Sequence, residues 1–523
     1  MDGVWATCEE TRWAWSAHDV RVRGTTPGRH GLLPDPGRHT LDLGASGAAV
    51  LLALTDAMVG DELDRIDPMV RRRLRDEVSQ RVLRPYMERS EWGWYDGSTA
   101  KLNNWNPWIH SELLLATALT VQDPERRTAL VSRIVQGLEH YVAAQPRDGG
   151  CDEGPHYWWR AGASLFECLE TITSMLGTNA GVFEHPLIRA MARYPVTTWI
   201  GDGWAVNFAD GPARPREGAP ALLFRYGRRT GQSEASAHAR ALRSGPDLTH
   251  PDSGELFDLR RPWTPCSTPN GRPHRPLPSR SPRTPGCPTP RSWPPGPGRV
   301  RRRACSWPRR RANDESHNHN DVGTFIVALD GRPLLIDAGV GTYRKETFGP
   351  ERYDIWSMTS EYHNVPIVNG FGQPPGRRFR ATGVRAGHTA HMAGLTCELA
   401  CAYPPQARLR SWLRTVRLVR AADERVEIED VWDCAAAAGS PALHVLVGGG
   451  LRLLQSGGAI VTPPNGRALT LSWDASTFAA EAETVALPGQ RLSRVWGDAV
   501  HRLALTARHP ASTGRHTFVA RPD

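Results

Sequence analysis

Residues 316–343 read SHNHNDVGTFIVALDGRPLLIDAGVGTY, and after a short gap residues 360–370 read SEYHNVPIVNG. Three histidines and several carboxylates punctuate strand-like runs, each where a run meets a loop. His317, Asn318, His319, Asn320 and Asp321 form a polar cluster directly before VGTFIVAL. The run PLLIDAG buries Leu334, Leu335 and Ile336 and presents Asp337 at its end, and His363 sits in a polar corner before VPIV. Residues two apart on a strand share a face, so His317 and His319 point the same way if the strand already begins there. Two imidazoles and a carboxylate delivered from strand ends can converge on one metal ion, and zinc suits that ligand set. The same residue types are also common turn formers, so hairpin-edge polarity is the competing reading.

Outward from this stretch toward the C-terminus, short alternating runs continue: SWLRTVRLVR (411–420), RVEIEDVW (425–432), ALHVLVGGG (442–450), LTLSW (469–473), RLSRVW (491–496) and HRLALTAR (501–508). Many short strands separated by Gly, Pro and Asn predict a β-sandwich. Toward the N-terminus the period changes to 3.6. Helices are predicted over 41–59, 67–89, 106–121, 124–145, 157–176, 186–200 and 233–244, with Pro107 and Pro124 in first turns that tolerate a missing N–H. Long helices joined by short loops argue for antiparallel neighbours, as in a bundle or an α/α toroid. Two connections carry unusual residues, LNNWNPW (102–108) and DGGCDEGPHYWW (148–159). Amides and aromatics concentrated in loops suggest a binding surface, although Asn104 or Asn106 could equally cap the following helix.

The chain has 523 residues, which predicts two or three domains, and its 40% hydrophobic and 23% charged residues describe a globular protein. Nine cysteines without a CxxC pair argue against a disulfide framework and against a cysteine-ligated zinc. No membrane span is expected, and MDGVWATCEETRWAW shows no basic region followed by an apolar one. A cytoplasmic location, or a start codon inside a longer frame, is the expectation.

A net charge of +9 would suggest an anionic partner. However, Pro262–Ala312 holds 12 Arg, 14 Pro and no Lys, Asp or Glu, so +9 less 12 leaves −3 for the rest. As structure the tract reads as a polyproline-like linker. It also reads as misplaced coding sequence. Shifted one base earlier, the codons of Cys305–Pro308 spell an apolar, strand-like run. The expectation is a pair of compensating frameshifts near residues 262 and 312. The domains expected are therefore 1–245 (helical), 246–312 (irregular, out-of-frame translation) and 313–523 (β-sandwich). Nucleic-acid binding by the tract is disfavoured, since its arginines lack interleaved aromatics and a supporting fold.

Taken together, LNNWNPW, DGGCDEGPHYWW and the 316–370 block resemble the heparinase II/III-like polysaccharide lyases. The resemblance implies an α+β multidomain fold, an N-terminal α/α toroid followed by a C-terminal antiparallel β-sandwich. It implies β-elimination on uronate-containing glycans, leaving 4,5-unsaturated uronate ends, with an acidic polysaccharide or oligosaccharide as the partner. Asn104 and His317 match the positions that neutralise the uronate carboxylate as C5 loses its proton. Tyr157 matches the acid that protonates O4 and, for some substrates, also the base. A phenol needs nearby positive charge for the second task, and Arg160 and His156 are candidates. His319, Asp337 and His363 match the ligands of a zinc ion with a mainly structural role.

Two points stay open. Trp105 stands where some of these lyases carry a histidine base, which leaves Tyr157 and His317 as the proton-transfer pair. Tyr343 and Tyr353 are both candidates for an assisting tyrosine. A non-catalytic carbohydrate-binding protein is the alternative.

Overall fold

The computed structural model describes residues 1–18, 37–98, 102–178, 181–215, 218–243, 303–306, 312–313, 317–435 and 441–523. They divide into two compact units. One is drawn from Met1–Cys151, Tyr157–Val196 and Glu217–Ser279, the other from Asp152–His156, Thr197–Arg216 and Arg280–Asp523. The second unit therefore takes in two segments that the sequence reading grouped with the helices.

The first unit is helical: α1 (Asp2–Glu9), α2 (Leu43–Ile66), α3 (Pro68–Val78), α4 (Arg84–Glu88), α5 (Gly93–Asp96), α6 (Trp105–Thr120), α7 (Pro124–Ala144), α8 (Gly162–Leu176), α9 (Pro186–Thr198), α10 (Pro220–Arg229) and α11 (Ser233–Arg243). Starts follow capping chemistry. Asp42, Asp67 and Asp123 each accept a backbone N–H in the first turn of the helix that follows, and Pro68 and Pro124 begin theirs. Helix α2 is long and apolar enough to cross a membrane by length and composition, against the sequence expectation, but 61% of that stretch is buried inside the protein. Its Ser46 hydroxyl donates to Glu112 of α6 at 2.6 Å, a core contact. The helix expected over 157–176 is broken. A 3-10 turn, Tyr157–Arg160, precedes α8, and Ala161 between them has ψ −93°. Helix α10 was missed altogether.

The second unit holds β1 (Trp199–Gly201), β2 (Trp204–Ala205), β3 (Arg303–Ser306), β4 (Phe325–Leu329), β5 (Arg332–Leu335), β6 (Pro366–Ile367), β7 (Thr382–His388), β8 (Met392–Glu398), β9 (Leu409–Val419), β10 (Arg425–Cys434), β11 (Ala442–Val447), β12 (Gly450–Leu454), β13 (Gly458–Thr462), β14 (Leu469–Ser472), β15 (Phe478–Ala486), α12 (Gln490–Trp496), β16 (Ala499–Ala507) and β17 (Thr513–Pro522). One sheet runs β12-β13-β14-β17-β10-β9-β8-β7, and the other runs β15-β16-β11-β5-β4-β3 with β6 beside β11. Pairing is antiparallel wherever these strands meet. Phe325, Val327 and Leu335 of the second sheet share one buried core with Trp412, Ile428 and Phe518 of the first. RLSRVW is a helix, not a strand. Leu492, Val495 and Trp496 all pack inward, at the i, i+3, i+4 spacing of a helix face.

Two local devices aim the central loops. Asp330 and Gly331 both take positive φ (52° and 86°), a turn that matches strand twist and closes the β4–β5 hairpin. Asn364 donates to the carbonyls of Phe325 and Ile336 and accepts from the Leu446 N–H, tying three strands to the corner that carries His363. Of residues 246–312 only 303–306 and 312 are described. Arg303–Ser306 pair with β4, and the frameshift expectation otherwise lies outside the described residues.

Candidate active site and metal centre

The loop before β4, the end of β5 and the corner before β6 bring three buried side chains together. One potential ligand atom each from His319, Asp337 and His363 lies within 4.8 Å of the other two. Hydrogen bonds behind them set which atoms face inward. His363 Nε2 lies 3.1 Å from the Ser357 carbonyl, which can only accept, so Nε2 carries the proton and a neutral ring turns its Nδ1 lone pair toward Asp337 Oδ2 at 3.4 Å. His319 Nε2 donates to Asp210 Oδ1 at 3.0 Å, which likewise leaves Nδ1 for the cluster. Asp337 Oδ1 accepts the Gly339 N–H at 2.8 Å, leaving Oδ2.

Among the described residues His319 Nδ1 and Asp337 Oδ2 are buried with no hydrogen-bond partner. Orphaned acceptors at such depth are costly unless a cation joins them. Burial lowers the His319 pKa, keeping the ring neutral as a ligand must be. Burial works to raise the Asp337 pKa, and the Gly339 N–H donated to Oδ1 works to lower it. The donor set fits zinc.

Beside the cluster stands His317, two residues before His319, with φ +58°, a strained value for a residue other than glycine. Its Nδ1 donates to Asp210 Oδ2 at 2.7 Å, and its Nε2 faces Glu153 Oε2 at 3.3 Å. Burial alone would lower its pKa, but the two carboxylates outweigh it and raise it to about 9. The ring is therefore a cation near neutral pH. Glu153 is buried in a tight bend. Gly154 has φ +92°, and a Cβ there would meet the Phe208 carbonyl at 2.9 Å.

Asp210 is the hub. It is fully buried and accepts from His317, from His319 and from Arg352 Nη2 at 2.6 Å. Burial opposes its ionisation, yet these donors hold its pKa well below the usual range. Arg352 spends its other nitrogens on the Asn318 and Thr347 carbonyls. Of the two tyrosines left open, the Tyr343 ring lies 6.4 Å from the His317 ring with the Arg491 guanidinium 4.6 Å above it, and the Tyr353 hydroxyl accepts from Asn318 at 3.3 Å.

Asn104 and Tyr157 belong to the helical unit. Asn104 is buried at the N-cap of α6, but its side chain does not cap. Neither does Asn106. That task falls to Asn103, whose Oδ1 accepts from the Trp105 N–H at 3.1 Å. Asn106 instead donates to the Trp94, Tyr95 and Gly137 carbonyls. Tyr157 opens its 3-10 turn half-buried, while Trp158 and Trp159 pack inward edge to face at 5.0 Å. Arg160 stacks 4.3 Å over Trp108.

Asp210, Glu153 and Arg352 were missed in the sequence. Glu153 lies in DGGCDEGPHYWW between Asp152 and Gly154, and nothing local separates it from an ordinary turn carboxylate. Asp210 stands in NFADG (207–211), whose Asn and Asp-Gly mark a turn and could have drawn attention to it.

The architecture and the cluster define a class: a helical unit, and an antiparallel two-sheet unit with a buried His/Asp/His centre. Residues 303–508 match the family model described as heparinase II/III-like, C-terminal. No curated protein matches the chain by sequence. Among solved structures, it is similar to a mutant of the heparan sulfate lyase HepC from Pedobacter heparinus, at 14% identity and TM-score 0.59, over 94% of this chain and 70% of that one. It is similar to the heparinase III BT4657 gene product at 14% identity and TM-score 0.64, over 100% and 74%. A further structure, of heparinase III, shares 15% identity at TM-score 0.62, over 94% and 71%. At such identities the likeness is one of fold.

Proposed function

We propose that the chain is a polysaccharide or oligosaccharide lyase that cleaves uronate-containing glycans by β-elimination. The reading goes with an α/α toroid as the arrangement of the helical unit. The observation that carries it is the His317 ring held between the Asp210 and Glu153 carboxylates beside the His319–Asp337–His363 cluster. A uronate carboxylate that displaces Glu153 from Nε2 meets an imidazolium, which stabilises the carbanion-like species as C5 gives up its proton. The C5–H electrons form the C4–C5 double bond, the C4–O4 bond breaks, and O4 takes a proton. Asn104 shares the neutralising role and Tyr157 supplies the proton transfers, as the sequence resemblance implies. A cationic His317 donates rather than accepts, so the base role falls to Tyr157. His319, Asp337 and His363 would hold zinc, which would supply a fixed charge that stiffens the loop presenting His317.

The test is incubation with heparan sulfate, chondroitin sulfate, alginate and glucuronan. A rise in ultraviolet absorbance from unsaturated ends with one of them is expected, abolished in Tyr157→Phe with the fold intact. Silence across all four overturns the reading. A second reading, a non-catalytic carbohydrate binder, draws on Trp105. That residue is half-buried with its ring 4.6 Å from His18 and offers no base. Saturable binding of an oligosaccharide without product would favour it.

A further inference from the structure

The segment 207–210 lies outside the part of the chain that matches the family model, yet it touches the cluster twice. Asn207 donates to the Asp337 backbone carbonyl at 2.9 Å, and Asp210 takes the N–H of His319. The same carboxylate takes the N–H of His317 on its other oxygen. Both ends of that last bond rest on strained backbone, with φ +64° at Ala209 and +58° at His317. Such conformations persist only where their surroundings over-determine them. An Arg491 Nη2 contact with the Asp210 carbonyl at 3.4 Å adds a further restraint.

We propose that Asp210 is the positioning residue of this centre: one carboxylate orients His319 toward the metal position and His317 toward substrate, so that the two tasks are coupled. The inference rests on the zinc reading above. Its chemistry is that of an outer carboxylate fixing imidazole tautomers. With Nε2–H committed to Asp210, His319 offers only Nδ1 to a metal. An asparagine at 210 can accept from one imidazole only. Its amide N–H then faces the other ring's N–H, so one ring must turn or change tautomer.

The experiment uses the full chain with zinc as the probe. Competition with a chromophoric chelator measures zinc affinity in the wild type and in Asp210→Asn, with circular dichroism as a check on folding. The affinity of Asp210→Asn is expected to be weaker by about 10–100-fold. On a uronan that the wild type cleaves, kcat should fall with KM little changed. An Asp210→Asn chain that folds and binds zinc like the wild type overturns the proposal, whereas a wild type that takes up no zinc overturns the metal reading and the proposal with it. A wild-type readout does not depend on the variant folding. In zinc-loaded crystals, anomalous scattering should place the ion on His319 Nδ1 with Nε2 still bonded to Asp210. Zinc on Nε2 would end the argument.

Discussion

Asp210 Oδ2 lies 2.7 Å from His317 Nδ1, across 107 positions of sequence. A turn between β2 and α10 thus supplies one counter-charge for His317, and Glu153 supplies the second. The functional demand on His317 is a positive charge delivered to one place, and removing the ring removes that charge without opening a core, since the side chain is 21% exposed. His317→Ala is therefore expected to lower kcat on a responsive uronan by about 10²–10³ while leaving the far-ultraviolet spectrum unchanged. Retention of full activity would remove His317 from the mechanism.

Metal removal gives an independent check. A ligand that binds only the folded state stabilises it by about 3 kcal/mol when present at roughly a hundred times its Kd. The wild type stripped with dipicolinate is expected to melt lower and to recover on adding zinc. His363→Ala should show neither response, because one of the three buried ligands is gone. An identical zinc-induced shift in both would place the ion elsewhere.

Much of this was legible in advance, and the boundary is physical. Local periodicity located α6 and α7 to within a residue, because apolar spacing and capping act within one turn, whereas α2 runs on to Ile66, past its expected end at Val59. The cluster was legible because His319, Asp337 and His363 each sit in a polar loop that adjoins an apolar strand, β4, β5 or β6. Asp210 was not, since nothing local distinguishes a hub carboxylate from one in an ordinary Asp-Gly turn. Its role exists only once the chain has closed over a hundred residues. RLSRVW failed for a different reason: six residues fit period 2 and period 3.6 almost equally well, and the packing of Leu492, Val495 and Trp496 decides.

The corner carrying His363 hangs on a buried ion pair. Arg414 grips Asp430 with two hydrogen bonds of 2.8 Å and spends Nη1 on the Gly323 and Asn364 carbonyls. Arg414→Leu strands a buried carboxylate and two carbonyls, an expected cost of about 3–5 kcal/mol in urea unfolding. Arg414→Leu with Asp430→Leu removes the stranded charge, so the double variant should be more stable than the sum of the single losses predicts. Simple additivity would mean the pair contributes nothing as a pair.

The helical unit carries its own acid sensitivity at His110. This ring is fully buried, donates from Nδ1 to Asn106 Oδ1 and accepts at Nε2 from the Tyr86 hydroxyl, both at 3.1 Å. Burial chiefly, with the Arg133 and His140 charges, lowers its pKa to about 3 against the pull of the Asn106 hydrogen bond. Unfolded, it titrates near 6.5. Between those values the unfolded chain binds a proton that the native chain refuses, so stability is intact above pH 6.5 and falls as pH drops toward 3. From pH 7 to pH 5 the loss assigned to this one ring is about 2 kcal/mol. His110→Gln keeps a polar group at the position but has nothing to titrate. Its unfolding free energy, measured with urea at both pH values, should fall by about 2 kcal/mol less than the wild type's over the same interval. An unchanged difference would mean that His110 already takes up its proton in the native state, which its fully buried ring and two satisfied nitrogens argue against.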